Sequence, residues 1–169
     1  YEALKSVGAD VRLVLVGDGP LRESIQQRCP DAIFAGMLTH DTLASYYASA
    51  DMFLFPSQSE TFGNVTVEAL ASGLPVLAFD CAAATDWVKP GLNGWLIPEA
   101  QPEMYVTTAV RVVQSASLLE RVATSTRAQV GQLDWQEIVE QVEDVLLKAI
   151  DGAPDKRSVL SDWVHRLSV

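Results

Sequence analysis

Five short apolar runs, each followed by a turn and then a helix-like segment, constrain this chain more than any other feature. The runs are residues 11–17, 31–35, 52–56, 75–79 and 95–98. Continuous apolar runs of this length read as strands covered on both faces, as in parallel sheets, rather than as the alternating strands of an antiparallel sheet. Residues 20–28, 41–49 and 63–72 read as the intervening helices. Pro20 suits a first helical turn, Asp41 suits an N-cap, and Gly73 suits a helix end. Asn93-Gly94 is a turn signal ahead of the fifth run. Strands that alternate with helices in this way imply βαβ units, and hence an α/β fold with a mostly parallel, doubly wound sheet.

After Pro102 the pattern becomes helical: residues 102–115, 117–130 and 134–150 are the expected helices. Gly152-Ala153-Pro154 breaks the chain, and 157–167 reads as a last short helix. The expected organisation is one domain over residues 1–150 and a C-terminal helix or tail over 151–169. Residues 1–7 read as the end of a helix.

The stretch richest in chemistry is Pro56-Ser57-Gln58-Ser59-Glu60-Thr61-Phe62-Gly63-Asn64-Val65-Thr66-Val67-Glu68. It runs from the C-terminal end of a strand through a loop into a helix, the edge of a parallel sheet where ligands bind. Backbone N–H groups at the helix start, near Gly63, Asn64 and Val65, would face an anion, and Gly63 allows close approach. Glu60 precedes that point, and Glu68 lies past it, roughly 6 Å along the axis at about 1.5 Å per residue. Spacing alone does not separate a ligand site from a helix start whose dipole favours nearby carboxylates.

In order and identity these residues resemble the signature of the family-4 retaining glycosyltransferases. That signature is Glu, seven residues, Glu, with Phe-Gly after the first and Glu-Ala-x-Ala-x-Gly-x-Pro-Val at the second; all of it is present over residues 60–76. Further marks of the family surround it: Val16-Gly17-Asp18-Gly19-Pro20, Phe34-Ala35-Gly36, Ala50-Asp51, Pro56-Ser57 and Gly91-Leu92-Asn93-Gly94, with Trp135 beyond. The resemblance implies one half of a GT-B fold, a Rossmann-like domain that binds a nucleoside diphosphate sugar, UDP- or GDP-linked. It implies transfer of a hexose with retention to a hydroxyl acceptor, with no cofactor and no metal. By the same analogy Glu60 is the catalytic-site carboxylate that binds donor-sugar hydroxyls, and Glu68 binds the ribose. Thr61, Phe62, Gly63, Asn64 and Val65 would hold the sugar and diphosphate. Met37, Leu38 and His40 would line the nucleobase, and Gly17 would lie beside the cleft. His40 is equally a solvated loop residue, and Gly17-Asp18-Gly19 equally a tight strand-to-helix turn.

Two departures stand out. No Lys or Arg occurs between Arg28 and Lys89, a span of 60 residues that contains the whole proposed diphosphate site. A diphosphate beside two carboxylates needs compensating cations. In the family an Arg and a Lys come from a loop after an earlier strand that these residues do not include, as they do not include the N-terminal acceptor-binding domain, the expected partner. The chain alone is therefore expected to be inactive in transfer. That earlier strand is also central in the usual sheet, so two strands should lose a neighbour or pair otherwise. The second departure is Asp80-Cys81-Ala82-Ala83-Ala84-Thr85, where family members often carry glycines; a similar alanine-rich loop occurs in some members that use GDP-mannose.

A net charge of −10 argues against nucleic acid as a partner and against docking of this domain on anionic lipid. No apolar run reaches the ~20 residues that span a bilayer, and residues 1–20 show no signal-peptide pattern. Cys29 and Cys81 lack metal-ligand spacing and read as free thiols of a reducing compartment. The expected location is cytoplasmic, with the inner face of the membrane as the alternative for a full-length protein. Other readings stay open: a non-catalytic nucleotide-sugar-binding or scaffold domain, or another GT-B enzyme such as a sugar epimerase.

Overall fold

The structure, a computed structural model, describes residues 1–129 and the isolated positions Glu143 and Leu147. The helices expected at 134–150 and 157–167, Trp135 and the boundary at residue 150 lie outside the described residues. In chain order the elements are α1 (Glu2–Ser6), β1 (Val14–Val16), α2 (Arg22–Arg28), β2 (Ile33–Gly36), α3 (His40–Ser49), β3 (Phe53–Phe55), α4 (Asn64–Ala71), β4 (Val76–Phe79), α5 (Ala83–Trp87), β5 (Gly94–Ile97), α6 (Pro102–Gln114) and α7 (Ala116–Gln129). All five expected strands form, and every strand pair is parallel. The fold is α/β and Rossmann-like. Helix α5 is an addition to the expected elements; it follows Ala82 and closes with Val88 N–H donating to Ala84 O at 2.9 Å.

The strands form two sheets, β1-β2 and β3-β4-β5. The expected central neighbour is not among the described residues, and β1 and β3 do not pair with each other in its place. This changes the environment of β1. The sequence reads it as a buried strand, yet Val14 and Val16 are 37% and 43% exposed. A two-stranded ribbon lacks the layers that cover both faces of a parallel sheet.

Strand β4 has both flanks paired and both faces covered. Val76 and Ala78 join a cluster with Tyr47, Ala69, Leu70 and Val88. Leu77 and Phe79 join another with Trp95, Tyr105, Val112 and Val122 on the opposite face. This is the period-two alternation of a strand, with each side chain at most 2% exposed.

Helix ends differ from expectation in two places. Helix α3 begins at His40, with Thr39 at the N-cap; Asp41 lies in the first turn. Thr39 in extended backbone already turns the chain inward, its hydroxyl 2.9 Å from that of Thr42. Helix α2 begins at Arg22 after Leu21, so Pro20 sits in the preceding turn, which is held by Arg22 N–H donating to Gly19 O. Gly73 does end α4: it takes φ +75°, and Leu74 N–H closes the turn on Ala69 O.

The Asn93-Gly94 signal has a tertiary cause as well as a local one. Asn93 Oδ1 accepts from Lys89 N–H at 2.6 Å, and its Nδ2 donates to Trp87 O at 3.1 Å. At Gly94 a Cβ would stand 2.2 Å from Val76 O and 2.8 Å from Val88 Cγ1. Gly94→Ala is therefore expected to force β5 away from β4 and lower stability by about 1–3 kcal/mol, the range for overpacking a tight site. Denaturant unfolding of the variant beside wild type measures this; an unchanged midpoint would contradict the close approach.

Candidate functional site

Parallel pairing of β3 with β4 aligns Phe53 with Val76, Leu54 with Leu77 and Phe55 with Ala78. Both strands therefore release their chains at the same edge. The loop after β3 carries Glu60, and the loop after β4 carries Cys81 and Ala82. The two loops are bonded to each other: Ala83 N–H donates to Phe62 O at 2.7 Å, and the Cys81 thiol to Ser57 O at 3.6 Å.

Within the first loop, Ser57 Oγ donates to Glu60 Oε1 at 2.7 Å, which orients an otherwise exposed carboxylate. Thr61 and Phe62 are exposed, Phe62 by 52%. Gly63 then caps α4 in the left-handed region, φ 88° and ψ 45°, a conformation that favours glycine. The first α4 amide with a backbone acceptor is Thr66, bonded to Gly63 O at 3.0 Å. Those of Asn64 and Val65 are left without one, as expected of a helix start. They supply donors and a partial positive charge at this edge. Glu68, half-buried in the next turn, accepts from the Tyr47 hydroxyl at 3.4 Å.

Two groups here, the Tyr47 phenol and the Cys81 thiol, are held toward their neutral forms. Burial first, and the Glu68 charge second, push the Tyr47 phenol up to about 12, so it remains a donor. Burial raises the Cys81 thiol as well, with the charges of Glu99, Glu60 and Asp80 adding to the effect. A thiol held this way is a poor nucleophile.

The remaining expected residues gather on the other sheet. Gly17 ends β1 with φ 113°, and its N–H donates to Gly36 O at 2.8 Å, joining the loops after β1 and β2. Met37 is 78% exposed, Leu38 is half-buried, and His40 is exposed at the start of α3. Arg22 lies beside them, 3.2 Å from Asp18 and over the Phe34 ring at 5.8 Å. The structure thus brings Glu60, Thr61, Phe62, Gly63, Asn64, Val65 and Glu68 together at one edge, and Gly17, Met37, Leu38 and His40 at another. No direct hydrogen bond joins the two groups.

Among the described residues no cation pairs with Glu60 or Glu68. Among the described residues the ion pairs are Lys5–Asp31, Arg22–Asp18 and Arg28–Glu2, and Lys89 Nζ donates to Asp86 O. Hydroxyls of Ser57 and Tyr47 are the partners that Glu60 and Glu68 have instead. Sequence reasoning missed both roles, and missed the bonding of residues 81–83 to the Glu60 loop. Tyr47 had one visible cue: it falls four residues after Leu43, on the apolar face of α3.

Comparison with known proteins places these observations. A family model described as "Glycosyl transferases group 1" matches residues 1–115. A GDP-mannose-dependent alpha-mannosyltransferase of Mycobacterium tuberculosis is 37% identical over 132 residues, 78% of this chain and 34% of that protein. One of the same description from Corynebacterium glutamicum is 43% identical over 89 residues, 53% of this chain and 22% of that protein. Among solved structures, that of Anabaena HepE in complex with UDP-glucose superposes with a TM-score of 0.69 at 24% identity, over 87% of this chain and 43% of that one. The chain spans about a third or less of the length of these two curated relatives. Among the described residues no helix is long and apolar enough to cross a membrane.

Ala82 is the strained point of the site. Its φ of 48° and ψ of −136° lie where glycine is the ordinary residue, at a cost of about 1–3 kcal/mol for a side chain with a Cβ. The bonds of Ala83 to Phe62 and of Cys81 to Ser57 hold it there. Ala82→Gly is expected to raise stability by about 1 kcal/mol after the glycine's own entropy cost. Thermal unfolding measures it; a loss of stability would mean that the backbone at residue 82 is not held in this conformation.

Proposed function

The chain belongs to the glycosyl transferases group 1 family, and from that premise we propose that it is the donor-binding half of a GT-B enzyme that transfers a hexose from a nucleoside diphosphate sugar to a hydroxyl acceptor with retention. The observation that carries the reading is the α4 start: unbonded amides of Asn64 and Val65, flanked by Glu60 on one side and Glu68 on the other. The amides suit a diphosphate. Glu60 suits the hydroxyls of the sugar, and Glu68 those of the ribose. Met37, Leu38 and His40 suit a base, and Gly17 suits a place beside it.

In this reading negative charge grows on the leaving diphosphate as the bond to the anomeric carbon breaks. Helix amides stabilise that charge, with a field of about half an elementary charge. That is too little beside two carboxylates, so cations from outside residues 29–88 complete the site: Arg22, or segments of a longer protein. An acceptor-binding domain is the proposed partner within that longer protein, and the cytoplasm its location. GDP-mannose is the first donor to test, because two relatives are named for it and the loop after β4 is alanine-rich.

Two variants of the full-length protein test the assignment. Glu68→Ala is expected to weaken binding of the free nucleoside diphosphate by about tenfold or more, the loss of a hydrogen bond to a charged group, about 1.5–3 kcal/mol. Titration calorimetry with GDP and UDP reads it, and unchanged affinity in a folded variant removes the ribose role. Glu60→Ala is expected to lower transfer far more than it lowers binding of the same nucleotide, which lacks the sugar. Equal losses in the two assays would contradict this division of roles.

A further inference from the structure

Among the described residues a single hydrogen bond crosses between residues 1–50 and residues 51–129, the bond from the Tyr47 hydroxyl to Glu68 Oε2 at 3.4 Å. The other direct ties between these parts are apolar. Leu43 and Tyr47 pack into the cluster of α4 and β4, and α1 packs against α6 with Leu4 buried.

We propose that Tyr47 is a positioning residue for donor binding: it fixes Oε2 of Glu68 so that Oε1 faces the ribose hydroxyls. The proposal rests on the assignment of Glu68 to the ribose. Its geometric basis is separate from that assignment. The Tyr47 ring is 9% exposed and stands edge-on to Phe53, with centroids 5.7 Å apart and planes at 80°. Strand β3 thus sets the position of the phenol independently of the carboxylate. A buried tyrosine hydroxyl needs a partner, and among the described residues Glu68 is the one it has. Glu68 Oε1 has no partner there.

The choice of residue type follows from the ligand. A lysine or arginine in this place would neutralise the carboxylate and compete with the ligand's own hydroxyls for it. A phenol donates one proton and leaves the full negative charge in place. Because burial keeps that phenol protonated, the donor is present throughout the physiological range. Tyr47 also belongs to the helix that begins at His40, so one rigid element runs from the loop proposed for the base to the carboxylate proposed for the ribose.

The bland reading is that Tyr47 only packs, and a ligand comparison separates the two. In the full-length protein, Tyr47→Phe keeps the ring on Phe53 and removes the hydroxyl. Calorimetry would use whichever of GDP and UDP binds the more tightly, beside its 2′,3′-dideoxy analogue. The expected result is about a three- to tenfold loss of affinity for the ribonucleotide, the worth of one net hydrogen bond. No loss is expected for the dideoxy form, and none beyond that of Glu68→Ala in the double variant. An equal loss for both ligands, an undiminished loss in the Glu68→Ala background, or no loss at all would overturn the proposal while the ribose assignment stands. Unchanged ribonucleotide affinity in Glu68→Ala alone would overturn both. Absence of binding by the wild-type protein would overturn the donor-binding reading itself.

Discussion

Strand β4 is the element on which the rest of the described structure hangs. Val76 and Ala78 face one cluster, Leu77 and Phe79 the other, and β3 and β5 pair with its two edges. Burying four such side chains almost completely contributes several kcal/mol at about 25 cal/mol per Å² of apolar surface. More to the point, it fixes the register of β3. That register brings the loops after β3 and β4 to one edge, where Ala83 N–H meets Phe62 O. A carboxylate on a free loop would sample many positions. Glu60 does not, because its loop is bonded to the chain that leaves the central strand and its own oxygen is held by Ser57.

The two sheets are unequal in this respect. The β3-β4-β5 sheet has helices α4, α5 and α6 around it and almost no exposed side chain on its central strand. The β1-β2 pair has Val14, Val16 and Ile33 substantially exposed. A ribbon of two short strands buries too little surface to order itself, so what organises that half is its packing through α3 on β3 and α4. Tyr47 is central to this: it is the buried residue of α3, and among the described residues its hydroxyl makes the single hydrogen bond between residues 1–50 and 51–129. The loop after β2 and the carboxylate edge are connected through that side chain.

Electrostatics set the character of the site. Glu60 and Glu68 each hold a neutral hydroxyl partner, and among the described residues no basic side chain pairs with either. Carboxylates in this state are strong acceptors toward ligand hydroxyls, and they repel an anion. The helix amides alone do not reverse that repulsion. Under the proposed function such a site suits a ligand that sets hydroxyls against the carboxylates and phosphates against the amides, with cations brought from outside residues 29–88.

Much of this was legible in the chain itself. The five largely apolar runs located the five strands, because strands of a parallel sheet covered by helices favour apolar side chains. Gly73 announced the end of α4, because only a left-handed residue closes that turn without strain. Glu60, Gly63 and Glu68 stood out by their order in a loop that opens a helix. Local chemistry determines such features, so they can be read residue by residue. Other features had no local signature. That β1 and β3 would not pair with each other depends on what lies between them, and a strand's own residues do not record its neighbour. Asp41 read as the cap of α3 and Thr39 holds that place instead, because cap position follows the direction in which the chain enters. Ala82 by its own residue type carried no mark of its positive φ; the one hint was the resemblance, in which this loop often holds glycines. Sequence thus determined which segments are strands and helices and which carboxylates attend the helix start. Only the tertiary structure decided which hydroxyl holds Glu68, because Tyr47 and Glu68 are 21 residues apart and meet only after the packing of α3 on α4 sets the distance between them.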